Sequence, residues 1–137
     1  KKYDILFQTA AVSDFMVDNQ TKGKLDGKKR ISLILSPRKK IIAQIKKWHP
    51  KIKLIVFKAV FNNSEKLLTK EGKEKLRESN ADAVVVNDVS RSDRGFQADT
   101  NEVFIVTKNG SRKKIPLAKK QDVAASIIDF LVMENLF

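Results

Sequence analysis

No cysteine occurs in these 137 residues, so neither a disulfide framework nor a thiolate metal site supports the fold. The single histidine, His49, leaves little for a histidine-based metal centre or triad. It stands before Pro50 where a helix should end, and it reads as a C-terminal cap. Five glycines, scattered singly, form neither a GxGxxG turn nor a Walker A loop. No apolar run is long enough to cross a membrane, and no signal-peptide pattern opens the chain. These absences fit a cytoplasmic protein without a resident metal. Negative charge is also in short supply. Against 28 Lys and Arg stand 16 Asp and Glu, a net charge of +12. Such a surface suits an anionic ligand, either a nucleic acid or a small phosphate compound. A solvated, lysine-rich exterior explains most of these cations equally well.

What is present is an alternation of strands and helices. A run from Tyr3 to Thr9 reads as a strand covered on both faces. A polar, basic stretch from Val17 to Arg30 reads as an exposed loop. Ile31 to Leu35 follows as a short strand. Ser36-Pro37 then suggests the N-cap and first position of a helix with Ile41, Ile42, Ile45 and Trp48 on its inner face. Ile52 to Phe57 is the next strand. Asn62-Asn63-Ser64 starts a second helix that carries Leu67, Leu68 and Leu76, with Gly72 a weak interruption. Ala83 to Val86 is a strand ending in Asn87-Asp88. Ser90 to Thr100 is a loop. Glu102–Thr107 and Arg112–Ile115 flank Asn109-Gly110, a hairpin signal. A final helix from about Lys120 to Met133 buries Val123, Ala124, Ile127, Ile128 and Leu131. The expected fold is α/β, a Rossmann-like three-layer arrangement in one domain, residues 1–137. Its sheet is mixed and mainly parallel, and it carries a β-hairpin. The chain opens Lys1-Lys2-Tyr3 and enters a strand at once, as expected of a piece of a longer polypeptide.

Three strand ends gather the candidate chemistry. The first opens into Thr9-Ala10-Ala11-Val12-Ser13-Asp14-Phe15, the second ends at Phe57, and the third at Asn87-Asp88. If the strands are parallel neighbours, all three ends share the ligand-binding edge of the sheet. Small alanines allow a ring or ribose to approach. Asp14 and Asn87 offer hydrogen bonds, and Phe57 a stacking face. Taken singly, an Asp after a strand is more often a turn residue and a Phe more often core. The loop from Lys22 to Arg30 adds mobile positive charge that can close over phosphates. At Ser36-Pro37-Arg38-Lys39-Lys40, a helix N-terminus with three cations is a second phosphate site. Lys73, Lys75 and Arg77 either add to the same field or form one solvated helix face.

These residues resemble the motifs of the phosphopantothenoylcysteine synthetase family. Ala10-Ala11-Val12-Ser13-Asp14-Phe15 is similar to the family's Ala-Ala-Val-Ala-Asp-Tyr. Val86-Asn87-Asp88-Val89-Ser90 is similar to its Ala-Asn-Asp-Val-Ser. Gly95-Phe96-Gln97-Ala98-Asp99-Thr100-Asn101 is similar to its Gly-Phe-x-x-Asp-x-Asn. The resemblance covers nearly the whole chain. It implies a ligase of coenzyme A synthesis that joins 4′-phosphopantothenate to cysteine. CTP, or ATP in some members, activates the carboxylate as an acyl-nucleotide with Mg2+ present. FMN enters only where a decarboxylase is fused upstream. By position, the resemblance places Ala10, Asp14, Lys24, Pro37, Arg38, Lys39, Lys40, Phe57 and Lys75 at the nucleotide. Lys24 is the flap lysine that acts on the phosphates. Asn87 and Asp88 have supporting roles.

There are departures from the family pattern. Ser79 stands where a second lysine is frequent beyond Lys75, which bears on the choice between CTP and ATP. The family's glycine-rich N-terminal half is not in this sequence, so the isolated chain is expected to be inactive. The resemblance also implies a homodimer, with the Leu33 side of the short strand as its contact. No membrane is expected, and a nucleic-acid partner is not favoured. Two other readings stay open: a basic nucleic-acid-binding domain and a ligand-free dimerisation module.

Overall fold

The computed structural model describes residues 3–19, 22–61 and 64–137. Asn62 and Asn63, assigned above to a helix start, lie outside these residues, as do Lys1 and Lys2. The described chain divides into two compact units. One comprises residues 1–9 and 42–137, the other residues 10–41.

In the larger unit, β1 (Ile5–Gln8) is followed by α1 (Ile42–Trp48), β4 (Lys53–Val60), α2 (Glu65–Ser79) and β5 (Ala83–Asp88). Then come β6 (Thr100–Thr107), β7 (Arg112–Lys119) and α3 (Lys120–Met133). In the smaller unit, β2 (Phe15–Val17) pairs antiparallel with β3 (Leu35–Pro37). The large sheet has the order β1-β4-β5-β6-β7. Its first three strands are parallel, and the hairpin strands join antiparallel. This is the expected mixed α/β sheet.

The strands are apolar because both faces are covered. Leu54, Val56, Val84, Val86, Phe104 and Val106 pack with Ile45 of α1 and Leu68 of α2. On the other face Ile55, Val85, Ile105 and Ile115 pack with Val123, Ile127, Phe130 and Leu131 of α3. Successive strand residues therefore feed opposite clusters, as the strand period of two requires. The inner face of α3 differs from the expected one by a shift around the helix. Phe130 is buried, whereas Ala124 and Ile128 are exposed. β1 meets both faces as expected, Leu6 packing on the cluster beneath α1 and α2 and Ile5 and Phe7 on the cluster beneath α3. β1 is an edge strand among the described residues, and its four residues are only half-buried.

Asn109-Gly110 forms the hairpin turn, with Gly110 at φ 97° and the Thr107 N–H donating to the Ser111 carbonyl at 3.0 Å. Pro116 sits on β7, an edge strand, where a missing N–H costs least. The His49 N–H donates to the Ile45 carbonyl at 2.8 Å, closing α1 where Pro50 forbids another turn.

Candidate functional site at the strand ends

In the larger unit, β1, β4 and β5 lie side by side and point the same way, so their C-terminal ends face one border of the sheet. The border is stepped. β1 stops at Gln8, opposite Val56, while β4 and β5 run on together to Val60 and Asp88.

Phe57 was expected to end its strand. It lies inside β4, opposite Val85. The sequence misleads here because Lys58 looks like a terminator. Its ammonium is instead held 3.6 Å from the Glu71 carboxylate of α2, so the strand continues. The Phe57 ring is half-buried and packs against the cluster beneath α3. It borders the step beyond Gln8.

Asn87 and Asp88 close β5 on opposite faces. Asn87 is half-buried, and Asp88 is 2% exposed. Asp88 Oδ1 accepts the Ser90 N–H at 2.8 Å, an Asx turn that redirects the chain. Asp88 Oδ2 is buried and has no hydrogen-bond partner among the described residues. Lys75, on α2, is mostly covered, with its ammonium 3.7 Å from Glu78.

The loop after β5 is built around an arginine that the sequence reading passed over. Arg94 is 6% exposed. Its Nε donates to Asp93 Oδ1 at 2.8 Å and its NH1 to Glu102 Oε1 at 2.6 Å. Hydrogen bonding from Arg94 holds the Asp93 carboxyl below its ordinary range, and Asp93 in turn raises the Arg94 guanidinium. Gly95, at φ 96°, lies against Val89, where an added Cβ would stand 3.1 Å from Val89 Cγ1. The available signal was a lone arginine between acidic residues at 93 and 102 in a turn-rich segment.

In the smaller unit, Ala10, Asp14, Lys24, Pro37, Arg38, Lys39 and Lys40 are all exposed. The fold brings Asp14 to the 38–40 segment. The Arg38 N–H donates to the Asp14 carbonyl at 2.7 Å, and Lys40 Nζ lies 4.0 Å from Asp14 Oδ1. The expected helix start at Ser36-Pro37 is not there. Ser36 and Pro37 belong to β3, the Ser36 hydroxyl donates to the Asp18 carboxylate, and α1 begins at Ile42. Proline's fixed φ serves an edge strand as readily as a first helical turn. Arg38, Lys39 and Lys40 therefore present their charge from the connecting chain and not from a helix N-terminus. The basic loop has local order. Asp26 accepts the Lys28 N–H on its side chain at 3.0 Å and the Lys29 N–H on its carbonyl at 3.1 Å. Lys24 stands just before that turn.

The family model of the DNA/pantothenate metabolism flavoprotein C-terminal domain matches residues 1–134. The chain belongs to this family. It is 33% identical over 129 residues, 94% of its length, to the coenzyme A biosynthesis bifunctional protein CoaBC of Thermococcus kodakarensis, of which it covers 31%. Among solved structures, the C-terminal domain of a CoaBC protein matches 96% of this chain and is covered to 56%, with TM-score 0.62 and 31% identity. The DNA/pantothenate metabolism flavoprotein of Streptococcus pneumoniae shares the fold. Its TM-score is 0.74 at 23% identity, over 96% of this chain and 64% of that one. The chain spans about a third of the length of the curated relatives it matches.

Proposed function

We propose that this chain is the C-terminal part of a phosphopantothenate–cysteine ligase of coenzyme A biosynthesis. It would supply part of the nucleotide site and the dimer contact. The observation that carries this reading is the Asn87-Asp88 strand end of a parallel β1-β4-β5 array, in a chain matched by the family model from end to end of that array. Ligands of open parallel sheets gather at such ends.

In the proposed reaction, a carboxylate oxygen of 4′-phosphopantothenate attacks the α-phosphorus of CTP or ATP and pyrophosphate leaves. The amine of cysteine then attacks the acyl carbon. An amide forms, the nucleoside monophosphate departs, and the amine gives up a proton. Lys24 would neutralise charge gathering on the phosphates, a use of fixed cations that lowers such barriers. Arg38, Lys39 and Lys40 would attract the triphosphate, with Asp14 fixing the segment that carries them. Ala10 leaves room beside the nucleotide, Phe57 would face the base, and Lys75 would reach it from α2. Asn87 and Asp88 would shape the edge. The described residues hold no group of three or more His, Cys, Asp or Glu fit for a metal ion. Mg2+ would arrive on the triphosphate with its own waters. FMN belongs to a fused decarboxylase and has no role in this reading. None of the described helices is long and apolar enough to cross a membrane, and we place the protein in the cytoplasm.

The dimer proposal rests on apolar exposure. Phe15, Met16, Leu33 and Leu35 of the smaller unit are all about half exposed or more, too much apolar surface for so small a unit to leave in water.

The test is thermal shift of the 137-residue chain with CTP, ATP and cytidine, beside Lys24→Ala. A triphosphate should raise Tm at millimolar concentration in the parent chain and not in the variant, and cytidine should do nothing. The same chain should form no amide by itself. Equal shifts in parent and variant, or full turnover by the isolated chain, would overturn the assignment.

A further inference from the structure

The border of the sheet opposite Asp88 carries a second concavity. There the last turns of α2, the start of β5 and the β6–β7 hairpin surround an open cavity of about 370 Å³. Its floor is apolar, made by Leu76, Ala81 and Val106. Its rim is cationic, made by Lys73, Arg77 and Lys108.

The sequence builds this cavity by an identifiable route. Gly72 lets α2 approach the sheet closely, and an added Cβ there would stand 2.9 Å from Val106 Cγ2 and 3.2 Å from Val86 Cγ2. One turn later Leu76 overlies Val106. Lys73 and Arg77, four residues apart, share one helix face. The tight turn at Gly110 brings Lys108 across from them. Lys73 and Arg77 thus line this border of the large sheet.

Among the described residues, Lys73, Arg77 and Lys108 form no ion pair within 4 Å. The glutamates of α2 that form described ion pairs, Glu71, Glu74 and Glu78, are taken by Lys58, Lys70 and Lys75. Lys108 Nζ donates to the neutral Asn80 Oδ1 at 3.3 Å. Among the described residues, no carboxylate lines the cavity. An apolar floor with a few convergent charged groups is the general form of a small-molecule site.

We propose that this cavity binds a small amphipathic organic anion, its phosphate, sulfonate or carboxylate head among Lys73, Arg77 and Lys108 and its apolar body over Leu76 and Val106. The competing explanation is structural: cations near a helix C-terminus favour the macrodipole. That explanation predicts a stability effect and no binding.

The test is an NMR titration of the 137-residue chain with hexyl phosphate, and separately with inorganic phosphate and hexanol. Saturable shifts confined to amides of residues 73–81 and 106–110 are expected with hexyl phosphate. Lys73→Gln/Arg77→Gln should weaken them about tenfold or more, since charge-assisted contacts are lost. Lys119→Gln/Lys120→Gln, at the start of α3 on the other face, should leave them unchanged. An unaltered parent spectrum, equal shifts in the Lys73/Arg77 variant, or equal affinity for hexanol would each overturn the proposal. The variant's own spectrum reports whether it folds. Nucleotide binding through Lys24 is a separate matter, and neither result decides the other.

Discussion

Lys46 Nζ lies 2.6 Å from Asp82 Oδ2, and both side chains are nearly covered. The same carboxylate oxygen accepts the Leu54 N–H at 2.7 Å, and Lys46 also donates to the Ile52 carbonyl at 2.5 Å. One ion pair therefore ties α1 to β4 and to the residue just before β5. Asp82→Ala would strand a buried ammonium and a buried N–H. A loss of about 3 kcal/mol is expected, read as a lower urea midpoint. Adding Lys46→Met should return part of that loss, because the unpaired charge goes too.

Gly72→Ala tests the close approach of α2. Alanine favours the helix by about 1 kcal/mol, yet its methyl would collide with Val106 and Val86. Overpacking of this kind costs roughly 1–3 kcal/mol, so a modest net destabilisation is expected. Val106→Ala in the Gly72→Ala background should cost less than Val106→Ala alone, a coupling that a double-mutant cycle in urea reads directly.

Asp93 supplies a pH signature. Its carboxyl is held below the ordinary range of an aspartate, chiefly by the Arg94 hydrogen bond. As pH falls, the unfolded chain takes up the proton first, so the folded state loses its advantage. The contribution is complete above the unfolded pKa and is lost as pH falls through the folded one. The stability gap between the parent and Asp93→Asn should thus be flat near neutrality and close in acid. Urea midpoints from neutral pH into the acid range check this.

Leu33→Glu tests the proposed dimer. Leu33 is 61% exposed, so the change costs the folded chain little. Light scattering should report two chains per particle for the parent and one for the variant. A single-chain mass for the parent would remove the proposal.

Much of the large unit was legible from residues alone. The apolar runs became β1, β4 and β5, Asn109-Gly110 became the hairpin, and α3 spans the expected residues. Each rests on short-range chemistry. Period-two and period-3.6 patterns and turn residues act within a few positions of one another. The failures sit where the deciding partner is distant. Ser36-Pro37 has the local form of a helix start, but Asp18, half the unit away, claims the serine hydroxyl and β2 claims the strand. Lys58 ends a strand on propensity and continues one beside Glu71. Arg94 is a loop residue in sequence and the buried centre of a charge network in space.

By itself, then, the sequence determined the strands and helices of the large unit, where the hairpin turns, and the motif order that marks the family. Those properties follow from backbone preference and hydrophobic spacing, which are local. Tertiary structure decided that Phe57 lies within its strand, that Asp88 is buried at the end of β5, and that α2 approaches the sheet closely at Gly72 beside a cavity with an apolar floor and a cationic rim. Burial and charge pairing depend on residues far apart in the chain, and only the packed sheet brings them within bonding distance.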